Sequence, residues 1–245
     1  MGFKNIFRKS GAASLESIQS DFVSLSSHQL RTPLSAIKWY VEMLLSQKQG
    51  KLTEKQLLYL QQISRSNERA INLVNDLLDV SRIQEGQIHL ELRPAKIEAV
   101  VEETIDNLQN LIKNKNITIN FEIINGPLPP IVTDREKLKR IVSNVLSNAM
   151  HYSQQGGRVR VTVEKNTEHV LLKVADSGVG IPAADQPKMF SKFFRSQNVI
   201  KLAPDGTGLG LFISKSLMDA MGGQLAFDSH EGRGTTFYLK LPVKQ

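Results

Sequence analysis

No cysteine occurs anywhere in this sequence. Structural disulfides and thiolate-held metal ions are therefore excluded, and a reducing compartment fits. Aromatic residues make up only 6% of the chain, too few for an obvious base-stacking surface, so nucleic acid ranks low as a partner. No apolar run approaches bilayer-spanning length, and no secretory signal is visible. Neither a Walker A stretch nor a GxGxxG fingerprint is present.

What is there is an ordinary globular balance, 40% hydrophobic and 22% charged, over 245 residues, enough for one large domain or two of ordinary size. The net charge of +7 suits an acidic partner, and the basic residues are scattered rather than clustered. The start, MGFKNIFRKSG, interleaves Lys4, Arg8 and Lys9 with Phe3, Ile6 and Phe7. It reads either as a short interfacial anchor or as a frayed terminus. Residues 1–13 are set apart as a basic tail or linker.

Residues 14–87 have helical periodicity only. Leu15, Ile18, Phe22 and Leu25 form one coiled-coil-like frame; Leu30, Leu34, Ile37, Val41 and Leu44 form another, displaced by two residues. The phase breaks around His28 and Pro33. A second helix carries Leu57, Leu60, Ile63, Ile71, Val74 and Leu78, with Thr53 and Gln56 as a capping box at its start. The link QKQGKL is short, so the helices must be antiparallel neighbours. Each runs about 45 Å at about 1.5 Å per residue. Such a hairpin cannot bury both seams against itself. The pattern favours dimerisation into a four-helix bundle over a monomeric hairpin lying on the rest of the chain.

Residues 88–245 alternate strands with helices. IHLELRP is expected as a strand ended by Pro94, followed by one helix from Ile97 to Leu111. ITINFEI should be a strand with one buried face. Thr133 with Glu136 should cap a helix ending near Tyr152. RVRVTVE and HVLLKVA should pair as a hairpin. A helix from about Gly208 to Met221 and a closing hairpin complete a layered α/β sandwich.

Three stretches carry chemistry. In DSGVGIP, Asp176 can accept a hydrogen bond from a base amine, with Gly178 and Gly180 permitting close backbone approach. A carboxylate there favours adenine over guanine. In DGTGLGLFISK, Gly206, Thr207, Gly208, Leu209 and Gly210 lead into a helix whose N-terminus suits phosphates. Asn144, Asn148 and Tyr152 stand four apart on one helix face, with His151 on the same side; the two amide oxygens suit Mg²⁺ already bridged by phosphates. The segment between the glycine stretches has the composition of a lid, and Arg195 within it can reach a terminal phosphate. EGRGTTF is most simply a hairpin turn. Against each stands a plainer alternative: a tight turn, a glycine-rich helix start, a solvated asparagine face, an ordinary long loop.

Together these stretches closely resemble the sensor histidine kinases of two-component signalling. SHQLRTPL resembles the family's H box, NVLSNAMHYS its N box, DSGVGIP its G1 box, MFSKFFR its F box and GTGLGL its G2 box. The resemblance implies a dimerisation and histidine phosphotransfer domain (14–87) followed by a gyrase-like ATP-binding domain (88–245). It implies ATP and Mg²⁺ as cofactors, with Asn144 and Asn148 serving the metal. His28 becomes the phosphoacceptor, Asp176 the adenine reader and Arg195 a γ-phosphate contact. It also implies a homodimer, a response-regulator receiver domain as partner and a cytoplasmic location, either free or as part of a membrane-associated sensor. His28 falls off both seams, and its neutral imidazole has a lone pair available near pH 7. Pro33 removes the N–H that would bond the carbonyl of Gln29, which loosens the helix there.

Two departures stand out. Gln29 follows the histidine where the family usually has an acid, and His151 stands where it commonly has lysine. Gln29 accepts a hydrogen bond but is no base, and Thr32 matches the position linked to dephosphorylating the regulator. The balance is thus expected to lean toward phosphatase. A titratable His151 is expected to weaken phosphate binding as pH rises. The rival readings are an ATP-binding dimeric scaffold or pseudokinase, a phosphatase-dominant variant, and an ATPase or serine kinase on the same nucleotide fold. No sensor domain is expected in this chain.

Overall fold

A computed structural model describes residues 29–48, 50–200, 202–203 and 206–243. His28, the first heptad frame and the 1–13 tail lie outside the described residues. The chain divides into two compact units, Met1–Gln87 and Ile88–Gln245.

The first unit is a helical hairpin. Helix α1 is described over residues 29–45 and runs through Pro33; α2 spans Glu54–Gln84. The capping box at α2 forms as the sequence predicts: the Gln56 N–H donates to Thr53 Oγ1, and the Thr53 N–H donates to Gln56 Oε1. Arg31 donates to Asn75 Oδ1 at 2.8 Å, the buried Asn67 amide donates to the Leu34 carbonyl at 2.9 Å, and Lys38 sits 3.9 Å from Glu68. From Arg31 to Lys38 the partner on α2 moves back from Asn75 to Glu68, so the helices are antiparallel. The pairing buries Val41, Val74 and Leu78 but leaves Leu30, Ile37, Leu44, Leu58 and Ile63 more than 40% exposed.

The second unit begins with β1 (Arg93–Ala95), α3 (Ile97–Asn107) and α4 (Gln109–Lys115). Then come β2 (Thr118–Ile124), β3 (Ile131–Thr133) and α5 (Arg135–Tyr152). The hairpin of β4 (Arg158–Lys165) and β5 (His169–Asp176) follows. The short α6 (Gln197–Ile200), α7 (Gly210–Ala220), β6 (Gln224–His230) and β7 (Gly234–Pro242) close the unit. Five strands form one mixed sheet in the order β2-β4-β5-β7-β6, with only the β2–β4 pair parallel. The core lies where β4, β5 and β7 present alternate residues (Val161, Val163, Leu172, Val174, Leu239) to the apolar stripes of α3, α5 and α7.

Several local expectations need correction. The first strand starts at Arg93 and contains Pro94 rather than ending there. It pairs only with β3 in a two-stranded sheet, where an edge proline is tolerated. The helix expected from Ile97 to Leu111 breaks at Leu108 into α3 and α4. β2 is an edge strand, and no residue on either face is fully buried. The cap of α5 is Asp134, whose carboxylate accepts from the Lys137 N–H at 3.1 Å. Thr133 is instead buried in β3, with its hydroxyl donating to Met221 Sδ. Finally, α7 starts at Gly210, so Gly206 and Gly208 precede the helix.

Candidate nucleotide site

Asp176 ends β5, where the sheet gives way to the DSGVGIP loop. Its Oδ1 accepts the Gly178 N–H at 2.8 Å and the Thr235 N–H at 3.2 Å. Both bonds converge on one oxygen, which leaves Oδ2 to face a ligand. Burial pushes this carboxyl up to about 6, against the opposing pull of those two N–H donors. A half-buried carboxylate with one oxygen anchored and one open is an acceptor awaiting a donor.

The loop after Asp176 is pinned from behind. The Ile181 N–H donates to Ser229 Oγ at 2.9 Å, and the Gly232 N–H donates to the Val179 carbonyl at 2.7 Å. Gly180 has φ +65°, and a Cβ there would lie 2.0 Å from the His230 carbonyl oxygen. A Cβ at Gly178 would lie 2.6 Å from the Tyr152 carbonyl oxygen. These two glycines are therefore required by close approach of the protein's own backbone, before any ligand is considered. The EGRGTTF stretch does more than turn a hairpin. It supplies Gly234, packed against the Asp176 carbonyl, and the Thr235 N–H.

Helix α5 brings Asn144, Asn148 and Tyr152 to one half-buried face, as the four-residue spacing predicts. Asn144 Nδ2 donates to Ser214 Oγ on α7 at 2.9 Å, which orients its Oδ1. Asn148 Nδ2 stands 3.5 Å from that same oxygen. Gly210, the first residue of α7, packs so tightly here that a Cβ would meet Asn144 Oδ1 at 2.5 Å. The α7 N-terminus has no side-chain cap, so its first N–H groups are open to an anion. Leu209 is fully buried, and its N–H donates to Thr207 Oγ1 at 3.2 Å, so it serves the loop rather than offering a side chain to a ligand.

Arg195 is half-buried, with Nη1 donating to the Gly206 carbonyl at 3.0 Å and Nη2 to that of Ala203. The guanidinium thus holds two carbonyls at the entry to the glycine-rich stretch. Burial raises the Tyr152 phenol, and nearby Arg195 opposes that rise. Gly208, at φ +71°, packs against the backbone of Phe193, which itself adopts φ +61°. His151 is exposed at the last turn of α5. Gln29 and Thr32 are both exposed on α1.

Among the described residues, no cluster of three or more His, Asp or Glu side chains could hold a metal ion. The donors at this site are neutral amide oxygens from Asn144 and Asn148. They fit Mg²⁺ that arrives with phosphate ligands of its own. Ser214, Ser229 and Thr235 are supporting residues that sequence reasoning missed. Ser214, one helical turn beyond Gly210, was the only one with a usable signal.

Two family models match: "His Kinase A (phospho-acceptor) domain" over residues 18–86 and "Histidine kinase-, DNA gyrase B-, and HSP90-like ATPase" over residues 133–245. The circadian input-output histidine kinase CikA of Synechococcus elongatus is 32% identical over 232 residues, which are 94% of this chain and 31% of that protein. The crystal structure of full-length ShkA in complex with AMPPNP superposes with a TM-score of 0.75 at 29% identity, covering 91% of this chain and 45% of that one. Histidine kinase ThkA, solved in complex with response regulator protein TrrA, shares the fold at 22% identity and a TM-score of 0.61, covering 99% of this chain and 68% of that one. The chain therefore spans about a third of the length of CikA and under half that of ShkA.

Proposed function

Since the chain belongs to the sensor histidine kinases, we propose that it phosphorylates His28 from ATP and passes the phosphoryl group to an aspartate of a response-regulator receiver domain. The observation that carries this proposal is the Asp176 carboxylate, anchored through Oδ1 and open at Oδ2. Adenine's exocyclic amine donates to that open oxygen, whereas guanine's carbonyl is repelled by it. The uncapped start of α7 takes the phosphates. Asn144 and Asn148 would hold Mg²⁺, which supplies charge neutralisation when bound. Arg195 exchanges the Ala203 and Gly206 carbonyls for a terminal phosphate oxygen, which couples phosphate binding to the glycine-rich segment.

Dimerisation completes the helical unit. Leu30, Ile37, Leu44, Leu58 and Ile63 remain exposed on one hairpin, and a second copy would cover them in a four-helix bundle. The receiver domain presents an acidic site, which complements the net charge of +7. The exposed Trp39, 4.9 Å from Tyr40 in an edge-on pair, offers that partner an aromatic contact. Exposed Thr32, four residues after His28, supports a second activity that removes phosphate from the regulator.

Two outcomes test the assignments here. Gln29→Glu places a base beside the imidazole and is expected to raise the initial rate of His28 phosphorylation about tenfold or more. An unchanged or slower rate removes that role from residue 29. Gly210→Ala drives a methyl group into Asn144 Oδ1. Titration should show Mg·ATP affinity reduced about tenfold. The helix itself should not weaken, because alanine is the better helix former.

A further inference from the structure

Lys115, the last residue of α4, is remote in sequence from every motif above. Its ammonium donates to the carbonyls of Met150 at 3.1 Å, His151 at 2.6 Å and Ser153 at 3.1 Å. An ammonium has three donor hydrogens, and all are used here. These acceptors are the carbonyls that the end of a helix leaves without partners. The gaps between them are also filled. The Ala149 carbonyl accepts from Ser153 N–H and Oγ, and the Tyr152 carbonyl accepts the Val179 N–H at 3.2 Å. The last turn of α5 is thus closed by one lysine and by the loop that follows Asp176. The main chain of Lys115 adds to this: its carbonyl accepts the Gly156 N–H at 2.9 Å.

We infer that Lys115 is a positioning residue for the nucleotide site, holding the α5 C-terminus so that Tyr152 and the Val179–Gly180 loop keep their binding geometry. The positive charge opposes the negative end of the helix dipole. Burial holds this lysine below its ordinary value. Removing it takes the ammonium donor from all three carbonyls, frees the last turn, and loosens the Tyr152–Val179 bond. The inference rests on the assignment of this site to ATP.

The test compares Mg·ATP affinity of the wild-type chain, Lys115→Met and Lys115→Gln, well below each melting temperature. Backbone hydrogen exchange is followed in parallel. ATP affinity should fall about tenfold in Lys115→Met and less in Lys115→Gln, which keeps donor hydrogens. Exchange should accelerate at the Val179 amide while amides in β4 and β5 stay protected. A folded variant with wild-type affinity and a protected Val179 amide overturns the inference. Should Lys115→Met fail to fold, the Lys115→Gln result decides alone. If the wild-type chain itself binds no ATP, the site assignment fails instead, and the two failures are distinct.

Discussion

In Asp176→Asn, ATP affinity falls on the order of a hundredfold, as expected when a hydrogen bond to a charged acceptor is lost in a half-buried site. The reason is directional. Oδ1 is held by the Gly178 and Thr235 N–H groups, so the amide oxygen must take that place. The new NH₂ then occupies the Oδ2 position and meets the adenine amine donor to donor. The empty protein should respond in the opposite sense. Burial raises this carboxyl from 3.8 to about 6, so its contribution to stability is present below pH 3.8 and is lost as pH rises through about 6. Above that range the ionised group costs at most about 3 kcal/mol, at about 1.4 kcal/mol for each pH unit between those two values. Asp176→Asn removes this cost, so the ligand-free variant should melt higher than wild type at pH 8 and show little difference near pH 4. Wild-type affinity should also decline as pH drops through about 6, and the variant should lack that decline. The comparison isolates Asp176 from the opposing dependence expected of His151. A variant that binds ATP normally, or melts lower at pH 8, contradicts the role assigned to this carboxylate.

Local patterns in the sequence carried much of the fold. The Thr53–Gln56 capping box, the β4–β5 and β6–β7 hairpins and the apolar stripe of α5 all depend on residues within a few positions of each other. The misreadings arose where a distant partner decided. Thr133 looks like a cap, but pairing of β3 with β1 draws it into a strand and leaves Asp134 to cap. Pro94 looks like a strand end, yet a two-stranded sheet accommodates it. The break at Leu108 has no glycine or proline to announce it.

The candidate site shows the same division. Asn144, Asn148 and Tyr152 share a face because helical spacing dictates it. That Gly180 must be glycine because of His230, fifty residues away, is invisible locally. The Thr235 N–H that anchors Asp176 is a backbone group, and any residue but proline would supply it. Lys115 looks like a surface lysine until the end of α5 is placed beside it.

His28→Ala carries the largest expected effect, a complete loss of phosphorylation with ATP binding intact. The histidine lies off both apolar seams in the sequence pattern, so its removal should leave the melting temperature unchanged. The nucleotide site is built wholly from residues of the Ile88–Gln245 unit, so affinity should also be unchanged. Phosphoryl transfer depends on an in-line nucleophile, and Gln29, next to His28 in the sequence, is an amide that cannot accept the group.

The decisive measurement is incubation of the wild-type chain and His28→Ala with γ-labelled ATP and Mg²⁺. Wild type should acquire a phosphate that is stable to base and labile to acid, and that transfers to a receiver domain. His28→Ala should acquire none. Label that survives acid, or that persists in His28→Ala, would contradict histidine phosphorylation at this position.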